Sequence, residues 1–386
     1  MKRLFLFSVA AISVCCNGLS VKEESFGNLS DGTPMHLITV TNASGASVSL
    51  SDYGARIVSI NVPDKEGIME DVIVGPGCIE DFENGDRFMG CILGRYANRI
   101  DNSSFQIDGK TYHVSANETL GGDPVHLSGG RNGFDRHVWD YDIIETDDMA
   151  GVVFHRMSPD GEEGYPGNCT CSVKYTWNND NVLSMVYEAS TDSPTIINLS
   201  NHAYFNLKGN EGGYIMDHIL TVNADSCIRN NTHYCPDHVA HVAGSPFDFR
   251  TPQRIDYRID MPDEHLKLMK GMSACWKLRD FRGNRADGSY GCIDSTARVF
   301  HAADLYDVTS GRLMEVWTSE PFLLTYTGRG FNGELEGKYG PIEKFAGMLM
   351  ETIHAPDSPN QKCFPTTTVR PGDNYRTSTE FRFGIR

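Results

Sequence analysis

Apolar residues recur at every second position through much of the chain, and this spacing predicts strands. In Phe105-Gln-Ile-Asp-Gly-Lys-Thr-Tyr-His-Val114 the alternation runs on both sides of Asp108-Gly109. Successive strand side chains point to opposite faces, and Asp-Gly suits the two positive-φ positions of a tight hairpin turn. Trp177 to Glu188 repeats the arrangement around Asn178-Asn-Asp-Asn181. Residues 296–301 and 312–318 form two more alternating runs, joined through Thr309-Ser-Gly311. The C-terminus places a turn at Arg370-Pro-Gly-Asp373 ahead of a strand at 378–383. Short alternating runs with turn signals between them predict an all-β protein, a large antiparallel β-sandwich. One short amphipathic helix is expected within 263–272, opened by Pro262 and acidic residues. No repeat, low-complexity tract or Pro/Ser-rich linker interrupts the pattern, so a single domain is expected over residues 21–386.

Residues 1–20 break this pattern and read as an export signal. Lys2 and Arg3 precede an uncharged apolar run from Leu4 to Cys16, and Asn17-Gly-Leu-Ser20 follows. The competing reading is a buried N-terminal strand. Lipid attachment at Cys15 or Cys16 fits the preceding residues poorly. An exported location, periplasmic or extracellular, is the expectation. No later segment is long and apolar enough for a membrane helix, so no membrane span is expected.

The 386 residues carry a formal charge of -17, and losing residues 1–20, which contain two positive charges and no negative one, makes it -19. An acidic surface repels phosphate backbones, which argues against nucleic acid as a partner. Of 11 cysteines, nine remain beyond the leader. An odd number cannot all pair with one another, and the density is not that of a disulfide scaffold.

Two polar islands carry the candidate chemistry. His202 lies in Asn198-Leu-Ser-Asn-His-Ala-Tyr-Phe-Asn206, and Glu351 in Gly347-Met-Leu-Met-Glu-Thr352. A histidine and a carboxylate form an acid–base pair that moves protons near neutral pH without metal or nucleotide. Local sequence alone favours a core histidine satisfied by its Asn neighbours, and Glu351 reads equally as a solvent-facing strand end. A carboxyl at the end of a buried strand would have its pKa raised by desolvation. Asn98 and Arg99 offer amide and guanidinium donors to sugar oxygens, against an ordinary surface ion pair. Asp294 reads locally as a turn cap.

Other motifs point to no cofactor. Gly129-Gly130 lacks the Lys-Ser/Thr and helix of a phosphate cradle. His233, Cys235, His238 and His241 match no familiar zinc spacing, and no metal site is expected there. No Cys-x-x-Cys pair and no Gly-x-Ser-x-Gly elbow occurs.

Taken together, the islands resemble the aldose 1-epimerase, or galactose mutarotase, family. The resemblance rests on Gly94-Arg-Tyr-Ala-Asn-Arg-Ile100, Gly129-Gly-Arg-Asn-Gly-Phe-Asp135, Ser158-Pro-Asp-Gly-Glu-Glu-Gly-Tyr-Pro-Gly167 and the stretch 198–207. Glu351, followed by Asn360-Gln361 and Pro365, completes it. The resemblance implies a β-sandwich with a free hexose in an open cleft on a concave sheet, and no cofactor. It implies His202 as general acid and Glu351 as general base, with Asn98, Arg99, Tyr204 and Asp294 at sugar hydroxyls.

Three positions depart from the family pattern. A sugar-contacting histidine before the Gly-Gly pair is Ser128 here, and His126, two residues earlier, would share its strand face and offer a substitute. A glutamine ahead of Tyr326-Thr-Gly328 is Leu324. An Asp-His pair is Asp294-Ser295. These changes imply a shifted or weakened sugar preference. The alternatives are a non-catalytic carbohydrate-binding sandwich, and a glycosidase that pairs Glu351 with a second acid, for which Asp294 is the candidate. The sequence gives no oligomeric state.

Overall fold

The structure is a computed structural model that describes residues 11–14, 18–85, 88–210, 212–281 and 298–386. Two large antiparallel sheets dominate it. One has nine strands, with Cys169–Asn178, Val182–Thr191, Tyr375–Ile385 and Arg312–Thr318 adjacent at its centre. The other has seven, in the order Pro236–His241, Ala224–Asn230, Ser273–Leu278, Phe322–Tyr326, Met348–Ile353, Tyr204–Phe205, Ile73–Val74. A six-stranded sheet is built from the N-terminal part of the chain, ending at Asp71.

Alternation explains how these sheets share a core. Tyr175, Trp177, Met185 and Phe381 from the nine-stranded sheet are buried in one cluster with Phe205, Trp276, Leu323, Met348 and Met350 from the seven-stranded one. Their strand neighbours Leu349 and Glu351, Leu324 and Tyr326, Ser273 and Cys275 turn to the opposite face and line a cleft. The same period-two code that builds the core thus presents a second, more polar set of side chains.

The expected hairpins form. Ser104–Ile107 pairs with Lys110–His113 around Asp108 and Gly109, whose φ values are 53° and 79°. Trp177 faces Leu183 across a turn containing Asn181 at φ 56°. The strand preceding Arg312–Thr318 is Phe300–Tyr306, later than the alternation at 296–301 indicated. Residues 296 and 297 lie outside the described residues. The expected helix is Glu264–Met269, where the Asp263 carboxylate accepts from the N–H groups of His265 and Leu266. Ile79–Asn84 and Asp256–Ile259 are helices too short to show a helical period.

Within the expected leader, Ala11–Val14 pairs with Ser20–Glu23 as an edge strand, and the rest of residues 1–17 lies outside the described residues. Leu19 is fully buried in the main core. The eight described cysteines are free thiols.

Candidate active site

The floor of the cleft is set by strand register. Tyr204 lies opposite Leu349 across two antiparallel strands. His202, two residues before Tyr204 and outside that strand, and Glu351, two residues after Leu349, line the same cleft. Across the next pair, Glu351 faces Leu324, and Leu324 faces Cys275. One row across the sheet therefore reads Glu351, Leu324, Cys275, with His202 on the approach to the Tyr204–Phe205 strand. The adjoining row reads Tyr204, Leu349, Tyr326, Ser273. Residues as far apart in sequence as Tyr204 and Leu349 become neighbours because side chains opposite each other in antiparallel strands stand about 4.5–5.5 Å apart at Cβ.

The polar islands of the sequence are tied together by hydrogen bonds. Asn198 donates to the carbonyls of Ala97 and His354 and accepts from the His354 N–H at 3.0 Å. Buried as it is, its amide is committed to tying the His202 island to the Glu351 strand. Arg95 is also buried, and its guanidinium donates to Ser158 and to the carbonyls of Pro159, Pro166 and Gly167. Gly129 approaches so closely that a Cβ there would meet the Gly94 carbonyl oxygen at 1.8 Å. Glycine is required at that contact, and its φ of 89° suits no other residue well.

Asn98, Arg99, Ser128, His202, Tyr204 and Glu351 all line this cleft, a cavity of about 250 Å³. That is below the usual range for drug-sized ligands and suits a single small ring. Tyr204 packs edge-on against His202, with centroids 5.2 Å apart, and against Phe331 at 5.0 Å. Phe88 holds the imidazole from another side at 5.8 Å. Arg99 makes a two-point ion pair with Glu118, at 2.7 and 3.0 Å. Asn98, at φ 61°, accepts from the Arg99 N–H and fixes the turn that carries both.

His126 is seated elsewhere. It is fully buried, with Nδ1 2.7 Å from the Ser115 carbonyl and Nε2 2.5 Å from the Tyr165 hydroxyl. The expectation that it shares a face with Ser128 fails because the strand ends at Leu127 and Ser128 turns the chain at φ 46°. Leu127 and Ser128 reach the cleft instead. Asp294 and Ser295 lie outside the described residues.

Glu351 is buried, and its Oε1 has no hydrogen-bond partner among the described residues. Desolvation pushes its carboxyl up to about 8, with only Ser200 pulling the other way. Leu324 beside it offers no donor. Burial also pushes the Cys275 thiol well up, and the Glu351 charge adds to this, so the thiol stays protonated and is a poor nucleophile.

Sequence reasoning missed Asn230, Tyr234, Tyr326 and Arg329, all on the cleft wall. Asn230 Oδ1 and Arg329 Nε are buried without a hydrogen-bond partner among the described residues. No local motif marks them. Asn230 is held through its backbone N–H, which donates to His265 Nδ1 at 3.1 Å.

Among the described residues, one group could gather around a metal: Asp217, His218 and Asp307. His218 Nε2 already accepts the Leu207 N–H at 3.1 Å, which puts the neutral ring's proton on Nδ1, the edge facing Asp217. Lys208 Nζ sits 2.8 Å from the same carboxylate. The donors are already occupied as a structural ion-pair cluster. His233, in the other segment considered for metal, directs its ring nitrogens at Asp101 and Asp123.

A β-sandwich whose cleft brings together an imidazole, a buried carboxyl and side-chain amides defines a small-molecule site on an all-β protein. The sequence profile described as Aldose 1-epimerase matches residues 36–382. The chain is 34% identical over 340 residues to human galactose mutarotase, covering 88% of this chain and 91% of that one. It is 32% identical over 356 residues to the aldose 1-epimerase of Escherichia coli K12, covering 92% and 96%. The crystal structure of galactose 1-epimerase from Lactobacillus acidophilus superposes with a TM-score of 0.79 at 27% identity, over 95% of this chain and 99% of that one. The chain belongs to the aldose 1-epimerase family, a family of isomerases.

Proposed function

We propose that the protein interconverts the α and β anomers of a free aldohexose, with Glu351 as general base and His202 as general acid. Glu351 takes the proton from the anomeric hydroxyl while His202 gives one to the ring oxygen. The C1–O5 bond breaks as the C1 carbonyl forms. Rotation about C1–C2 presents the other face of the aldehyde. On closure the ring oxygen attacks C1, His202 recovers its proton, and Glu351 returns the other to the new anomeric hydroxyl. Atoms and charges balance without a cofactor, and each positioned proton transfer contributes about 10²–10⁴ in rate.

The observation that carries this reading is the cleft itself: a buried carboxyl whose Oε1 has no partner among the described residues, and an imidazole, line one cavity the size of a sugar ring. A buried acceptor without a partner is unfavourable by about 1–3 kcal/mol, which a ligand hydroxyl would relieve. Glu351 is also the one carboxylate among the described lining residues, which weighs against a two-carboxylate glycosidase. Polarimetry on freshly dissolved α-galactose and α-glucose tests the assignment. Wild type is expected to accelerate equilibration, and His202→Ala and Glu351→Gln to lose at least about 100-fold. Near-normal turnover in either variant would remove that residue from its role.

Export through residues 1–20 is part of the same proposal. N-terminal sequencing of protein recovered from outside the cytoplasm checks it, and an intact Met1 terminus there would refute cleavage.

A further inference from the structure

The cleft holds a cation that the chemistry above does not use. Arg329 follows the Phe322–Tyr326 strand and lies over the Tyr326 ring, its guanidinium carbon 5.9 Å from the centroid. The side chain passes beside Gly271, where a Cβ would meet its Cδ at 3.1 Å. Its Nε is buried and has no acceptor among the described residues. Arg99, the other guanidinium on the cleft wall, is matched by Glu118 through two hydrogen bonds. Arg329 therefore brings a positive charge to the cavity that no described carboxylate balances.

Its position along the sheet gives that charge a meaning. Tyr326 belongs to the row next to the Glu351 row, one pair of residues along the strands. Two residues of a strand span about 7 Å, comparable to the distance across a substituted pyranose. With the anomeric carbon at His202 and Glu351, the far end of the ring comes under Arg329. A planar guanidinium with free donors recognises a carboxylate through two parallel hydrogen bonds, and a neutral hydroxymethyl group leaves it half satisfied. One unmatched guanidinium suits one carboxylate.

Resting on the mutarotase reading above, we propose that the preferred substrate is an anionic aldose, a hexuronic acid whose carboxylate pairs with Arg329, and that Arg329 is the specificity-determining residue. Leu324 in the neighbouring row supports this, since an aliphatic side chain there leaves the charged end of the ligand as the main polar anchor beside the proton-transferring row.

The test is a comparison of kcat/KM for mutarotation of α-galacturonate, α-galactose and galactose 6-phosphate by wild type, Arg329→Leu and Arg329→Lys. Wild type is expected to favour the uronate over the neutral hexose by about 10- to 100-fold, the worth of a charge-assisted pair. Arg329→Leu should collapse that ratio through KM, and Arg329→Lys should restore part of it. A 6-phosphate preferred over the uronate, with the same loss in Arg329→Leu, keeps the anionic class and assigns the anion to phosphate. A neutral hexose preferred by wild type, with a ratio unmoved in Arg329→Leu, overturns the proposal. Calorimetric titration of galacturonate into Glu351→Gln, alone and combined with Arg329→Leu, separates binding from turnover. If no sugar is turned over, the mutarotase reading fails, while uronate binding that requires Arg329 still supports the ligand class and its absence refutes it.

Discussion

At Glu351 a strand carries a carboxyl into the protein, where burial takes its water away and Leu324 across the strand pair offers no donor. The proton is held to about pH 8 for that reason. Two consequences follow from the sign. The folded state binds this proton more tightly than an unfolded chain with an ordinary carboxyl near 4.5, so stability falls as pH rises from about 4.5 through about 8. Glu351→Gln removes the titrating group, and each tenfold difference in proton affinity corresponds to about 1.4 kcal/mol. The variant is expected to lose activity and yet to keep a flatter melting temperature between pH 5 and pH 9 than wild type. Parallel thermal scans check this, and equal pH slopes would show that the carboxyl is ordinary. Catalysis by the free base should rise with pH along a limb near 8 in kcat/KM. Leu324→Gln places an amide donor across the strand from Glu351 and should move that limb towards lower pH. A limb that stays in place would mean Leu324 does not set the basicity.

At the scale of elements, the alternation and the turn chemistry carried most of the information. Asp108-Gly109 announced its hairpin because only such residues accept two positive φ values, and Asp263 announced its helix because a carboxylate satisfies the first free N–H groups. Register was legible only in part. His126 and Ser128 are two apart in sequence, yet the positive φ at Ser128 ends the strand between them and sends the histidine into the core. Asn230 and Arg329 were invisible for the opposite reason: each is an ordinary polar residue until the sheet brings it to the cleft wall. The islands that were recognisable are those that knit loops together, and Arg95 shows why. Its guanidinium donates to the backbone carbonyls of Ser158, Pro159, Pro166 and Gly167, at the two ends of the 158–167 loop. Arg95→Met fills a similar volume without those donors and is expected to destabilise the fold by about 3 kcal/mol or more, since each buried acceptor left unmade costs about 1–3 kcal/mol. Chemical denaturation measures the loss, and limited proteolysis should find new cleavage within 158–167. A change under about 1 kcal/mol would mean that water replaces the guanidinium freely.

For the whole molecule the instructive boundary is the N-terminal one. The proposed export rests on the hydropathy of residues 4–16, with the expected break after Ser20. Packing draws a different line. Leu19 has no exposure and belongs to the core shared by the two large sheets, whereas Gly18 is exposed. Ser20 then pairs with Thr41 at the start of the first long hairpin. A chain beginning at Val21 would leave a leucine-sized hole at the edge of that core, and emptying such a site typically destabilises a protein by about 2–5 kcal/mol. Cleavage that preserves the fold would fall at or before Gly18, two residues earlier than charge and hydropathy alone indicate. Protein beginning at Gly18 is therefore expected to unfold at a higher denaturant concentration than protein beginning at Val21, with the same dependence on denaturant because nearly the same surface is exposed on unfolding. Coincident midpoints would show that the hairpin edge closes over the gap without Leu19, and the break after Ser20 would then satisfy both signal and core.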